Sequence, residues 1–273
     1  MRGRPAGLGG VHWLQPVQAA LDSSQSPVEI FFRDDDAGWR HDRLAALLDL
    51  FAHHELPIDL AVIPTALDHA LAEELRRRTG TQPLGLHQHG FAHRNHEPDG
   101  RKLEFGPHRS RAQQRHDIEA GATRLAELLG DLVQPIFTPP WNRCTADTGR
   151  CLVELGFRVL SRESRAAPLG LDRLAEVPIR VDWLAHRHGV RLSPPELGER
   201  IAGAIGDGGT VGLMLHHAVM DAGDLRRAHE LLSLLASHDR VRAGAILDWA
   251  APRVEPLRAE DRAVGSTRRA TAG

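Results

Sequence analysis

Short runs of β-branched, leucine and aromatic residues alternate with amphipathic segments of helical period along most of the chain. Val28 to Phe32 reads as a strand, followed by a helix over Arg43 to His54 with Leu44, Leu47, Leu48 and Phe51 on one stripe. The unit recurs as a strand over Ile58 to Ile63 and a helix over Ala66 to Arg78. A strand over Pro83 to His89 then leads through a long loop to a helix over Arg111 to Leu129. Further strands are expected at Pro135 to Thr138, Phe157 to Ser161, Glu176 to Trp183, Thr210 to His216 and Val241 to Leu247, with helices near Thr145 to Leu155, Pro195 to Ile205 and Leu225 to Ser237. Seven or eight strands separated by helices imply parallel strands joined by right-handed crossovers, either closed into a barrel or left as an open doubly wound sheet.

The chain has 273 residues. An α/β barrel of about 250 residues is commonly one unit, so a single domain over 11–252 is expected, with mobile ends over 1–10 and 253–273. The net charge of -2 lacks the basic excess that a nucleic-acid partner favours. The segment after Arg2 and Arg4 is broken by Trp13, Gln15, Pro16 and Gln18, and no apolar run is long enough to be an integral membrane segment. Cys144 and Cys151, seven apart in a predicted helix, form no disulfide framework and agree with a reducing compartment. A cytoplasmic protein is expected.

Strong polar residues collect where predicted strands end. Phe31-Phe32 runs into Arg33-Asp34-Asp35-Asp36, Leu84-Gly85-Leu86 into His87 to His93, and Leu213-Met214-Leu215 into His216-His217. In parallel α/β folds active sites sit on that edge. Three successive aspartates beside a buried strand need a cation, backbone donors or arginine to stay charged. His89 and His93 have the spacing that brings two imidazoles to one side of a turn, and with an aspartate they make a three-ligand metal site with a position left open for water. The glutamate of the helical metalloprotease motif is absent. Singly these motifs are weak, since Asp-Asp often serves a turn and 17 histidines are scattered through the chain. Their joint placement at three strand ends is what points to a site.

The metal chemistry follows from these residue types. A divalent ion polarises a carbonyl and lowers the pKa of its water, a carboxylate takes the proton, and a histidine protonates the leaving amine. His216 is the acid by strand position and His217 the adjacent alternative, since neighbouring strand residues point opposite ways. Asp221 could orient either one.

In order along the chain these residues resemble the polysaccharide deacetylases, the NodB-homology or carbohydrate esterase family 4 proteins. Asp34-Asp35-Asp36 is similar to the first motif, His89-Gly90-Phe91-Ala92-His93 to the second, Thr138-Pro139-Pro140-Trp141-Asn142-Arg143 to the third, Asp182-Trp183 to the fourth and Leu213 to His217 to the fifth. The resemblance implies a distorted (β/α)7–8 barrel that hydrolyses acetamide groups on amino sugars with a divalent metal ion, zinc foremost. It makes Asp34 the general base and Asp35, His89 and His93 the metal ligands; if the pair is instead Asp35 and Asp36, both roles move one residue along. The family's third-motif arginine is replaced by Thr138, which leaves the orienting of the base to Arg143 or Arg33, and the fourth motif's first aspartate is replaced by Ile179.

Substrate contacts are expected from Trp141, which could stack on a sugar ring, from Pro140, Asn142, Asp182 and Trp183, and from the polar loop His93 to Arg109 with Asn95 and His96. Arg101, Arg109 and Lys102, the only lysine, could meet a phosphate or sugar acid. The expected function is N-deacetylation of an amino sugar or glycoconjugate, with a small-molecule or glycan substrate and no nucleic acid. The alternatives are hydrolysis of a carbon-nitrogen bond in a small non-sugar molecule, or a non-catalytic sugar-binding barrel.

Overall fold

The computed structural model describes residues 12–250. The predicted mobile ends, 1–10 and 253–273, lie outside the described residues. The first helix, α1 (Gln15–Ser23), carries Pro16 in its first turn, where a missing N–H costs nothing. Then come β1 (Val28–Ala37), α2 (His41–His53), β2 (Ile58–Val62), α3 (His69–Thr79), β3 (Leu84–His89), α4 (Arg111–Leu129), β4 (Val133–Thr138) and α5 (Ala146–Glu154). The short strands β5 (Val159–Leu160), β6 (Ala175–Glu176) and β7 (Val181–Asp182) follow, then a hairpin of β8 (His186–Arg187) and β9 (Val190–Arg191). The described chain closes with α6 (Pro194–Gly206), β10 (Val211–Leu215), α7 (Ala222–Ser237) and β11 (Val241–Ala243).

The main sheet runs β6-β5-β4-β3-β2-β1-β10-β7, with β11 added on β1, and every pairing in it is parallel. It curls into the distorted barrel expected, with helices outside. The strand expected over Glu176 to Trp183 is instead two, separated by Pro178, which cannot donate to a ladder. The β8–β9 hairpin escapes a sequence reading because its residues are polar and do not alternate. Cys144 precedes α5 rather than lying in it, and both cysteines are free.

Strand alternation sorts β1 onto two faces. Ile30 and Phe32 belong to the large apolar cluster shared with α1, α2, α6 and α7. Phe31 points inward, onto a floor made with Ile136, Val159, Val177, Ile179, Met214 and Ile246. One step further along the same inward face stand Arg33 and Asp35, and on β3 His87 and His89, so the barrel interior changes from apolar floor to buried polar layer toward the carboxyl ends of the strands. No described helix is long and apolar enough to cross a membrane.

Candidate metal centre

The candidate metal-ligating cluster forms where β1 departs from regular pairing. Its register against β2 shifts between Asp34 and Ala37, and Asp36 adopts φ 70. A bulge of this kind re-aims a side chain, and here it turns Asp36 to the same mouth as the inward residues. Asp36 Oδ1 lies 3.3 Å from His89 Nε2 and 3.2 Å from His93 Nε2, and the three ligand atoms all fall within 4.8 Å of one another. That oxygen is buried and makes no hydrogen bond. The other ring nitrogen of His89, Nδ1, donates to the Thr138 carbonyl at 3.0 Å, which aims Nε2 at the cluster; burial works to lower this histidine, but the Asp36 and Asp35 carboxylates outweigh it and raise it above the ordinary value. Burial, then the neighbouring His89, pushes His93 down to about 4, so His93 is neutral. Two imidazole nitrogens and a carboxylate oxygen therefore converge on one point, an arrangement in which a divalent cation would take the place of the imidazole proton.

His93 is held by a loop with its own scaffold. Gly90 takes φ 56, and a Cβ there would meet Glu104 Oε2 at 2.2 Å and Pro140 carbons at 2.6 Å. The fully buried Glu104 accepts from the backbone N–H groups of Phe91, Ala92 and Arg94 at 3.0, 2.8 and 3.2 Å. The His93 ring packs beside Trp141 at 4.5 Å and Trp39 at 5.0 Å between centroids. Asp36, His93, Trp141 and Asn142 all have left-handed backbones, so four of the seven described non-glycine residues with positive φ gather at this mouth.

The three aspartates do three different things. Asp34, on the outward face, accepts from the His217 backbone N–H at 2.9 Å and its ring Nδ1 at 2.6 Å, while His217 Nε2 donates to the Trp39 carbonyl at 2.8 Å. With an acceptor at each ring nitrogen His217 is an imidazolium. Burial alone would push it down, but the Asp34 carboxylate outweighs that and raises it to about 9. This buried pair ties the end of β1 to the turn after β10. Asp35 faces the mouth, gripped by Arg33 through Nε at 2.7 Å and Nη2 at 3.0 Å. Burial works to raise its carboxyl, but Arg33, His89 and His216 hold it well below the usual carboxylate range. Asp36 faces the imidazoles.

Arg33, with no exposed surface, also donates to Ser161 Oγ at 2.8 Å and Asn142 Oδ1 at 2.7 Å. The sequence left a choice between Arg33 and Arg143 as the orienting arginine; of the two, Arg33 is the one bonded to an aspartate of the first motif. Thr138 spends its hydroxyl on His87 at 2.8 Å, and burial, then Arg33, pushes that histidine down to about 3. His216 Nε2 lies 3.9 Å from Asp35 Oδ2, its side chain is 24% exposed, and its Nδ1 is buried without a partner.

A cleft of about 610 Å³ opens beside these groups, lined among others by Trp141, Asn142, Arg143, Asp182 and His216. Other expected contacts fall elsewhere. Pro140 is buried against the Gly90 turn. Asn95 folds its loop, its Oδ1 accepting from the Glu97 and Leu103 N–H groups, and neither it nor His96 lines the cleft. Trp183 is 2% exposed in the main core, stacked edge-on with Trp13 and donating to Asp224. Asp221 caps α7 by accepting from Asp224 N–H rather than orienting a histidine. Arg109 pairs with Asp117.

No family model matches the sequence, and no curated protein matches it. Solved structures do match. A Mycobacterium smegmatis protein assigned as a polysaccharide deacetylase superposes with a TM-score of 0.64 at 17% identity, over 86% of this chain and 94% of that one. An allantoinase gives 0.61 at 15% identity over 91% and 97%. A family 4 acetyl xylan esterase from Clostridium thermocellum, solved with a cobalt ion, gives 0.53 at 14% identity over 81% and 89%. The chain thus has the NodB, carbohydrate esterase family 4 fold.

Proposed function

We propose that this protein is a metal-dependent amide hydrolase that removes an acetyl group from an amino sugar or glycoconjugate. The observation that carries this reading is the convergence of Asp36 Oδ1, His89 Nε2 and His93 Nε2 on one point, with the carboxylate oxygen buried and unbonded. These three would hold a divalent ion, zinc foremost, and the structural neighbour with cobalt fits such a site. A divalent ion there supplies polarisation of the amide carbonyl and a more acidic attacking water.

The remaining work falls to the chain's own groups. Asp35, kept charged and aimed by the two-pronged Arg33 contact, accepts the proton of the attacking water. The register of the first motif is therefore the alternative one, with Asp35 as base and Asp36 as ligand. His216, exposed to the cleft beside Asp35, protonates the departing amine, while the buried His217 holds Asp34 in place. Trp141 walls the cleft next to His93, where an indole face can hold a sugar ring.

Acetate release from N-acetylglucosamine oligomers tests this. Turnover should vanish after chelation and return with zinc or cobalt; turnover that survives full removal of metal, or metal binding with no amide cleaved, contradicts it. The allantoinase among the neighbours favours a second reading, a small non-sugar amide at the same centre. A product other than acetate from a panel of small amides would select it.

A further inference from the structure

The cleft beside the metal centre is far more basic than the protein around it. Arg143, Arg165, Arg180, Arg187 and Arg200 line it, against only Glu163 and Asp182, in a chain whose net charge is -2. These arginines come from separate segments: the turn after β4, the loop after β5, the approach to β7, the β8–β9 hairpin and α6. One helix face or a local run of basic sequence does not account for them, because the fold collects them. Like charges gathered in a concave site repel one another unless something negative joins them.

Their existing bonds leave much of that charge unmatched. Arg180 reaches Asp207 and Arg187 reaches Glu196, carboxylates that do not line the cleft. Arg165 and Arg200 are exposed, with no carboxylate partner among the described residues. Arg143 spends one Nη1–H on the Lys102 carbonyl at 3.4 Å, while its Nε is buried with no acceptor. Guanidinium groups with free forks are suited to phosphate and carboxylate oxygens. Asp36, His89 and His93 do not line this cleft, but its inner end adjoins them through His216, 3.9 Å from Asp35, and Trp141, whose ring lies 4.5 Å from that of His93. A ligand with its amide at Asp36, His89 and His93 would therefore extend its far end to the arginines.

We infer that the substrate is an anionic amide, one whose acetamide lies at the metal centre and whose phosphate or carboxylate is held by the arginine wall. The position of the amide rests on the hydrolase reading; the anion site does not depend on turnover. The basic residues expected from sequence, Arg101, Lys102 and Arg109, are not in this wall.

Calorimetric titration of the zinc-loaded full chain tests the inference with three probes: N-acetylglucosamine 1-phosphate, N-acetylmuramic acid and neutral N-acetylglucosamine. At low salt at least one charged probe should bind about tenfold or more tightly than the neutral one, and raising the salt should erase the difference. Whichever charged probe wins identifies the anion as phosphate or carboxylate. The double variant Arg165→Gln with Arg200→Gln, at exposed positions where folding is not at stake, and separately Arg143→Gln, should weaken the charged probe about tenfold and the neutral probe less than twofold. The variants also separate the wall from direct binding of the anion to zinc. Equal binding of all three probes, or charged-probe affinity unchanged in both variants, overturns the inference while leaving acetate release untouched. Selective, arginine-dependent binding with no acetate release would keep the anion site and defeat the hydrolase.

Discussion

Two groups of three potential ligands come together in this molecule, and they are built differently. Asp36, His89 and His93 stand at the carboxyl ends of β1 and β3, mostly buried, with a carboxylate among them. His53, His54 and His229 meet on the outer surface where the end of α2 approaches α7, two of them exposed and none acidic. In the second group the rings satisfy each other: His54 Nε2 and His229 Nδ1 are 2.9 Å apart and share a proton. In the first, an orienting hydrogen bond to Thr138, a loop clamped by Glu104 and an unbonded carboxylate oxygen leave the ligand atoms without partners of their own. Proximity of imidazoles is common to both; what distinguishes the first as the candidate metal site is its supporting shell and its buried carboxylate.

The largest expected effect breaks that contrast most sharply. His89→Ala should abolish tight cation binding and lower turnover about a thousandfold or more, whereas His229→Ala should change both by less than about twofold. Metal analysis and steady-state kinetics on the two variants check this, and comparable losses in both would erase the distinction. Next comes the shell. Glu104→Ala frees three backbone N–H groups behind His93 without touching a ligand, and should weaken the cation about 10- to 100-fold while the far-UV circular dichroism stays native. An unchanged dissociation constant would show that the His93 loop is held by something else.

A milder effect concerns a buried carboxylate whose neighbouring cation, Arg33 in register on β1, is bonded to Asp35 instead. Asp59 on β2 accepts from the Ile246 N–H at 2.8 Å, its other oxygen has no partner, and burial pushes its carboxyl up to about 7. Between the ordinary 3.8 and about 7 the folded protein keeps a proton that the unfolded chain gives up, so stability falls as pH rises through that window and levels off above it. Asp59→Asn removes this slope, so thermal melts of variant and wild type should diverge between pH 4 and 7. Parallel curves would contradict the raised value.

Much of this was legible in the residues, and the failures are instructive. The three strand ends, the parallel strand-helix alternation and the pair His89 and His93 follow from periodicity and spacing, whereas the barrel followed only from the family resemblance. The register of the aspartates does not, because a bulge at Asp35 and Asp36 breaks the period of two on which any such assignment rests. Once Asp36 is turned to the imidazoles, Asp34 is left on the outer face, where its partner is the neighbouring histidine, His217, rather than a substrate. Arg33 was visible only as one of two candidate arginines; its contacts with Ser161 and Asn142 bridge more than a hundred residues. Glu104 gave no signal, since its role depends on a loop folding back onto Gly90. Trp183 looked like a contact residue and is core, which an indole's apolar area makes equally compatible with its sequence.

The most direct measurement is a titration of metal-stripped protein with cobalt, followed by visible absorption, in Asp35→Asn and Asp36→Asn side by side. With Asp36 as ligand and Asp35 as base, Asp35→Asn should still bind one equivalent tightly yet lose turnover, and Asp36→Asn should lose the tight equivalent itself. Tight binding retained in Asp36→Asn and lost in Asp35→Asn would reverse the two assignments, and tight binding retained in both would remove the metal centre from this mouth altogether.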